Sequence, residues 1–145
     1  MFSKGEGKRM WVMFTILGLV CLGGISSSWG DSDSIFKAYD FPSHPNLTYL
    51  CEQRVYPSAP GPHITWAAFA SESSPSAVVE YYLQKLGDAG FIKQEDGGIW
   101  RFEKGSGQIN RVLHIMPVGA GSPHRQCVEK PPSDSRSIIL ISRRD

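Results

Sequence analysis

Cysteine is scarce in this chain, and Cys21, Cys51 and Cys127 never fall into a Cys-x-x-Cys pair. Most structural zinc sites and thioredoxin-type redox centres need that spacing. His44, His63, His114 and His124 are scattered as well, so neither a metal site nor a cofactor is expected. There is no Gly-x-Ser-x-Gly elbow to hold an esterase-type nucleophile. Gly119-Ala120-Gly121 lacks the third glycine and the following helix that a phosphate cradle requires. An excess of one charge is missing too: 15 basic residues stand against 14 acidic ones. Arg143-Arg144 at the tail is the one visible charge cluster, and without a basic stripe nucleic-acid binding has no electrostatic footprint. Finally, no apolar run reaches the roughly 20 residues needed to span a bilayer.

The longest apolar run that does exist, Trp11 to Leu22, follows Lys4, Lys8 and Arg9 and precedes the small residues of "GGISSSWG". These are the three parts of a cleavable secretory signal over residues 1–30, with Ser28 and Gly30 at −3 and −1 of a cut before Asp31. Lipid attachment at Cys21 is the alternative, but Val20 and Gly18 depart from the small residue and leucine of a lipoprotein signal. A retained segment would instead tether the protein to a membrane. The export reading places the mature chain in the periplasm or outside the cell. Cleavage also removes Cys21 and leaves two cysteines in an oxidising compartment, which predicts one disulfide, Cys51 to Cys127.

Residues 31–46 carry two prolines and several serines with no clear period, and read as a linker into a single domain at 47–145. Asn46-Leu47-Thr48 within that junction is a glycosylation sequon, meaningful only in a eukaryotic source. "LTYLCEQRVY" and "HITWAAFA" are predicted strands, separated by the proline-rich "PSAPGP". Ser74 as N-cap and Pro75 at N1 open an amphipathic helix of about fourteen residues, with Val78, Tyr82, Leu86 and Ala89 on its apolar stripe. Gly90 is expected at C′, with Phe91 folding back on Leu86. "FIKQE" and "IWRFE" flank Asp96-Gly97-Gly98, a tight-hairpin signal. "INRVLHIMPV" and "RSIILISR" supply the last strands, and the unbroken Ile138-Ile139-Leu140-Ile141 run indicates burial on both faces. The fold expected is α+β: an antiparallel sheet of five to six strands with one amphipathic helix packed on one face. Trp100 and Phe102 are expected to meet that helix.

Tyr56-Pro57-Ser58-Ala59 before a strand, then Ser74-Pro75, Val78-Val79, Tyr81-Tyr82, Leu86 and Gly90-Phe91, resembles a strand-and-helix module of uncharacterised exported bacterial proteins. The likeness covers roughly residues 51–102. It implies export and a helix packed on strands; the family brings no established activity, so no functional residue carries over. Gln53-Arg54-Val55-Tyr56 resembles the Gln-x-Val-x-Gly wedge of cystatins, but Pro57 replaces the glycine and the segment precedes the helix instead of following it.

No catalytic residue is assigned. Glu95 and Asp96 sit at a hairpin tip, too exposed to raise a carboxyl pKa for acid catalysis. His114 is the one histidine placed mid-strand, on the face opposite Leu113 and Ile115. With Arg101 and Trp66 it forms a candidate binding surface for a peptide or glycan. The sequence thus favours a small non-catalytic exported domain that binds or scaffolds an unidentified envelope or extracellular partner. The alternatives are an exported hydrolase using His114 with a carboxylate from another strand, and a membrane-tethered lipoprotein or anchored form.

Overall fold

A computed structural model describes residues 31–56, 61–87, 89–106, 109–120 and 126–144. The proposed signal segment, residues 1–30, and the prolines at 57 and 60 lie outside the described residues. Helix α1 (Ser32–Ala38) comes first, followed by β1 (Leu47–Val55), β2 (Ile64–Ser71) and helix α2 (Pro75–Leu86). Strands β3 (Ile92–Asp96), β4 (Ile99–Ser106), β5 (Ile109–Pro117) and β6 (Ser137–Arg144) complete the order. All six strands join one sheet, ordered β1-β2-β6-β5-β4-β3, with every pair antiparallel.

The last strand in sequence is central in space. β6 inserts between β2 and β5, and Ile138, Ile139, Leu140 and Ile141 are all buried. Side chains alternate across a strand, so a run apolar at every position must be covered on both sides. Ile139 and Ile141 join the helix-side cluster, while Ile138 and Leu140 join the cluster on the far side. Each such burial contributes roughly 1.5–3 kcal/mol. β2 divides the same way, with Ala67 and Phe69 toward the helices and Trp66, Ala68 and Ala70 away from them.

Among the described residues two helices cover the sheet, not one, and the added helix lies within the segment read as a linker. α1 begins at Asp31, whose side chain accepts a hydrogen bond from the Asp33 N–H. Phe36 is 0% exposed, and Tyr39 and Phe41 are buried with it in the helix-side cluster. Three aromatics in six residues outweigh the serines and prolines around them, but seven helical residues are too few to display a 3.6-residue period. The segment after α1 is fastened as well: the Tyr81 hydroxyl donates to the Ser43 carbonyl, and the ring of His44 packs edge-on against Tyr81 at 4.8 Å.

α2 starts as expected, with the Ser74 hydroxyl accepting from the Ala77 N–H at 3.3 Å and Pro75 in the first turn. Its end comes earlier than expected. The helix stops at Leu86, Gly87 is the cap at φ +43°, and Phe91 packs on Phe41 at 5.3 Å. Gly87 wins because it is the first residue after the apolar stripe that enters positive φ without a Cβ clash. Val78, Val79, Tyr82 and Leu86 point into the helix-side cluster together with Phe102, and Trp100 packs at its margin. Tyr82 meets Phe102 at 6.3 Å. Gly97 and Gly98, at φ +57° and +81°, form the two-residue hairpin turn between β3 and β4.

β1 carries a bulge. Tyr49 pairs with Phe69 and Cys51 pairs with Ala68, leaving Leu50 without a partner on β2. The extra residue puts Leu50 and Cys51 on the same far face, whereas strict alternation would turn them to opposite sides. Glu52 is thereby turned to the helix side, where it accepts the Tyr39 hydroxyl at 2.8 Å.

Candidate functional site

One cross-strand row on the far face runs the width of the sheet. From the free edge of β3 inward it reads Gln94, Arg101, His114, Leu140, Ala68 and Cys51. Its inner half is apolar and covered. Cys51 is joined to Cys127, with Cα atoms 5.5 Å apart, inside the range a disulfide spans without moving backbone. Cys127 belongs to the long β5–β6 connection and packs with Ala120 on Leu50, Trp66, Met116, Ile138 and Leu140. At Ala120 and Cys127 the connection therefore packs on the far-side cluster formed by β1, β2, β5 and β6.

The outer half of the row is polar and open. Gln94, Asp96, Ile99, Arg101 and His114 line a cavity of about 250 Å³. The two-residue turn sets this geometry: it pairs Asp96 with Ile99, and two residues further on it places Gln94 opposite Arg101. Arg101 Nη2 makes an ion pair with Glu103 Oε2 at 2.7 Å, and the Asn110 side-chain amide donates to the other oxygen of Glu103. Three atoms of this network, Arg101 Nε, His114 Nδ1 and Asn110 Oδ1, are buried and have no hydrogen-bond partner. A buried donor without a partner costs roughly 1–3 kcal/mol, which a ligand atom of matching chemistry would recover.

Burial lowers the pKa of His114 below the ordinary imidazole value, the Arg101 charge lowers it further, and Glu103 partly opposes them. The imidazole is therefore neutral at neutral pH, with one nitrogen able to donate and the other to accept. Arg101 and His114 lie on one face as direct cross-strand neighbours. Trp66 does not join them as exposed surface. It lies on the same face but is only 5% exposed, because the Cys127 connection packs over it. Gln94 and Ile99 carry no sequence signal of their own, and Asp96 reads from sequence only as an exposed hairpin-tip acid, although the Asp96-Gly97-Gly98 turn carries the register that places all three.

A second arrangement is also visible only in the fold. Arg54, Thr65, Arg143, Arg111 and Lys104 form a row on the helix side at the sheet's other end. This is a basic row that linear spacing hides. Three of its four cations have internal work. Arg111 pairs with Asp40 at 2.8 Å, Arg143 donates to the Ala38 carbonyl at 3.0 Å, and Lys104 sits over the Phe91 ring. Together they fasten the end of α1 and the chain before β3.

Among the described residues, no group of three or more His, Cys, Asp or Glu is placed to hold a metal, and no helix is long and apolar enough to cross a membrane. A wider and more open depression of about 590 Å³ lies along α1 at Asp33, Lys37, Asp40 and Phe41, but it gathers no buried unpaired donor. Fold and site together define a class: a disulfide-closed α+β domain with a polar cavity beside a sheet edge. The chain matches no protein-family model, no curated protein and no solved structure.

Proposed function

We propose that this chain is an exported, non-catalytic binding module, acting in the periplasm or outside the cell on an envelope partner. The observation that carries the reading is the pair of unpaired buried nitrogens, Arg101 Nε and His114 Nδ1, beside the cavity lined by Gln94, Asp96 and Ile99. The ligand that fits is a peptide or glycan segment presenting oxygen acceptors, with Gln94 and Asp96 adding further polar contacts. Export is supported by the Cys51–Cys127 disulfide, which persists in oxidising compartments.

A hydrolase reading draws on one observation, that Asp96 lines the same cavity as His114. A catalytic histidine is oriented by a carboxylate on the nitrogen opposite its working one. His114 Nδ1 is buried without a partner, and that favours binding over catalysis.

Calorimetric titration of the protein with short acidic peptides and with cell-wall glycan fragments tests the proposal. Binding of one class is expected, weakened about tenfold by Arg101→Ala and by His114→Gln, as loss of one charged or polar hydrogen bond implies. Binding unchanged in both variants overturns the site. Turnover of an ester or amide substrate lost in His114→Gln would move the assignment to the hydrolase. Intact mass before and after reduction and alkylation tests export: a cut before Asp31 with no free thiol is expected. Full-length chain in the cytosol would refute it, and a lipid on Cys21 would establish the tethered form.

A further inference from the structure

We infer that two copies of this chain pair through the free edge of β3, forming a continuous twelve-stranded antiparallel sheet about a twofold axis at Gln94. Among the described residues β3 ends the sheet and has no strand on its outer side. All five of its residues are exposed, and Ile92 at 63% is one of the most exposed large hydrophobics among the described residues. Proteins protect such edges with bulges, prolines or covering segments. The opposite edge, β1, has the bulge at Leu50 and the disulfide at Cys51. β3 has neither bulge nor proline, only charge, and the order of its charges selects the partner.

The strand reads Ile92-Lys93-Gln94-Glu95-Asp96. Placed antiparallel to itself about Gln94, Lys93 of one copy lies opposite Glu95 of the other, and Glu95 opposite Lys93. Opposite charges directly across a pair attract, and like charges there repel. The backbone agrees with this register. In a two-residue hairpin the residues flanking the turn exchange both hydrogen bonds, so Asp96, Gln94 and Ile92 direct their N–H and C=O toward β4. Lys93 and Glu95 therefore direct theirs outward at the free edge. The self-pairing makes Lys93 and Glu95 the hydrogen-bonded pairs and leaves Gln94 facing its symmetry mate across the close, non-bonded position. The interface is isologous and closes at two copies. Five residues a side puts it at the small end of specific interfaces, so assembly depends on concentration. Gln94 and Asp96 also line the His114 cavity, so the axis passes beside that cavity in each copy.

Sedimentation velocity on the full chain over a hundredfold concentration range provides the test. The unmodified protein is expected to pass from monomer to dimer. Lys93→Glu alone and Glu95→Lys alone each place like charges opposite at two positions, and each is expected to weaken the dimer tenfold or more. Mixed in equal amounts, the two variants are complementary at both positions and should form a heterodimer. The double variant carrying both changes should dimerise like the original. Gln94→Cys should form an intermolecular disulfide under mild oxidation, as the close non-bonded position requires. A monomer at every concentration overturns the proposal. So do single variants that associate as well as the original, or a mixture that stays monomeric. The charge exchange also separates edge pairing from association through the apolar N-terminal run, which Lys93 and Glu95 would not affect.

Discussion

Two histidines and four tyrosines make the stability of this protein depend on pH from both sides. His44 and His114 are both held below the ordinary imidazole pKa, first of all by burial. An unfolded chain binds their protons more readily than the folded one, so their contribution is fully present above about pH 6.5. It is lost as pH falls through that value toward their lower folded pKa values. The thermal midpoint is therefore expected to drop between pH 7 and pH 5, with a shallower slope in the double variant His44→Gln, His114→Gln. Equal slopes in the two proteins would place the proton uptake elsewhere. At the other end, burial raises the hydroxyl pKa of Tyr39, Tyr49, Tyr81 and Tyr82, and Glu52 raises Tyr39 further. Their stabilisation is complete below about pH 10 and declines as the unfolded tyrosines ionise above it.

At the level of elements, α1 decides whether residues 31–46 are a tether or part of the core. Phe36 packs on Phe69 with ring centroids 4.7 Å apart, Arg143 holds the last residue of the helix, and Arg111 and Tyr81 hold the residues after it. Phe36→Ala removes a fully buried ring from between helix and sheet. Large aromatic truncations of this kind cost about 3–5 kcal/mol. Chemical denaturation should show a loss of that size in a single transition, with the slope against denaturant unchanged. A loss below about 1 kcal/mol would return the segment to the role of linker. The bulge in β1 matters at this scale as well, since it turns Cys51 and Glu52 to the faces where their partners wait.

For the whole molecule, the disulfide closes a separation of 76 residues and ties the β5–β6 connection to the first strand. The chain-entropy relation gives such a loop about 4.5 kcal/mol as a ceiling. Small domains hold roughly 5–15 kcal/mol in all. The Cys51→Ser, Cys127→Ser variant is expected to lose between about 2 kcal/mol and that ceiling, read from the urea midpoint. No loss would mean that packing of the connection on Leu50 and Trp66 suffices without the bond. The same closure keeps the inner half of the far face covered, while the β3–β4 end of the row is open to a ligand.

Much of the fold was written locally. Ser74-Pro75 specified where α2 begins, Asp96-Gly97-Gly98 specified a tight hairpin, and the Ile138–Ile141 run specified a strand covered on both sides. Each is a short-range rule of capping, turn chemistry or alternation. The shared face of Arg101 and His114 followed from the same alternation. The sequence by itself therefore determined the six strands, helix α2, the cysteine pair and the shared face of two of the five cavity residues. Other features arise from contacts between distant segments, and only the tertiary structure decided them. β6 moves to the middle of the sheet, α1 condenses around three aromatics, and Leu50 bulges out to turn Cys51. Cys127 packs against the cluster that buries Trp66, and Gln94 becomes the outermost member of the cavity row. The physical reason is that local propensity fixes how a segment is shaped, whereas burial depends on which surfaces meet, and in this chain the decisive meetings join residues far apart in sequence.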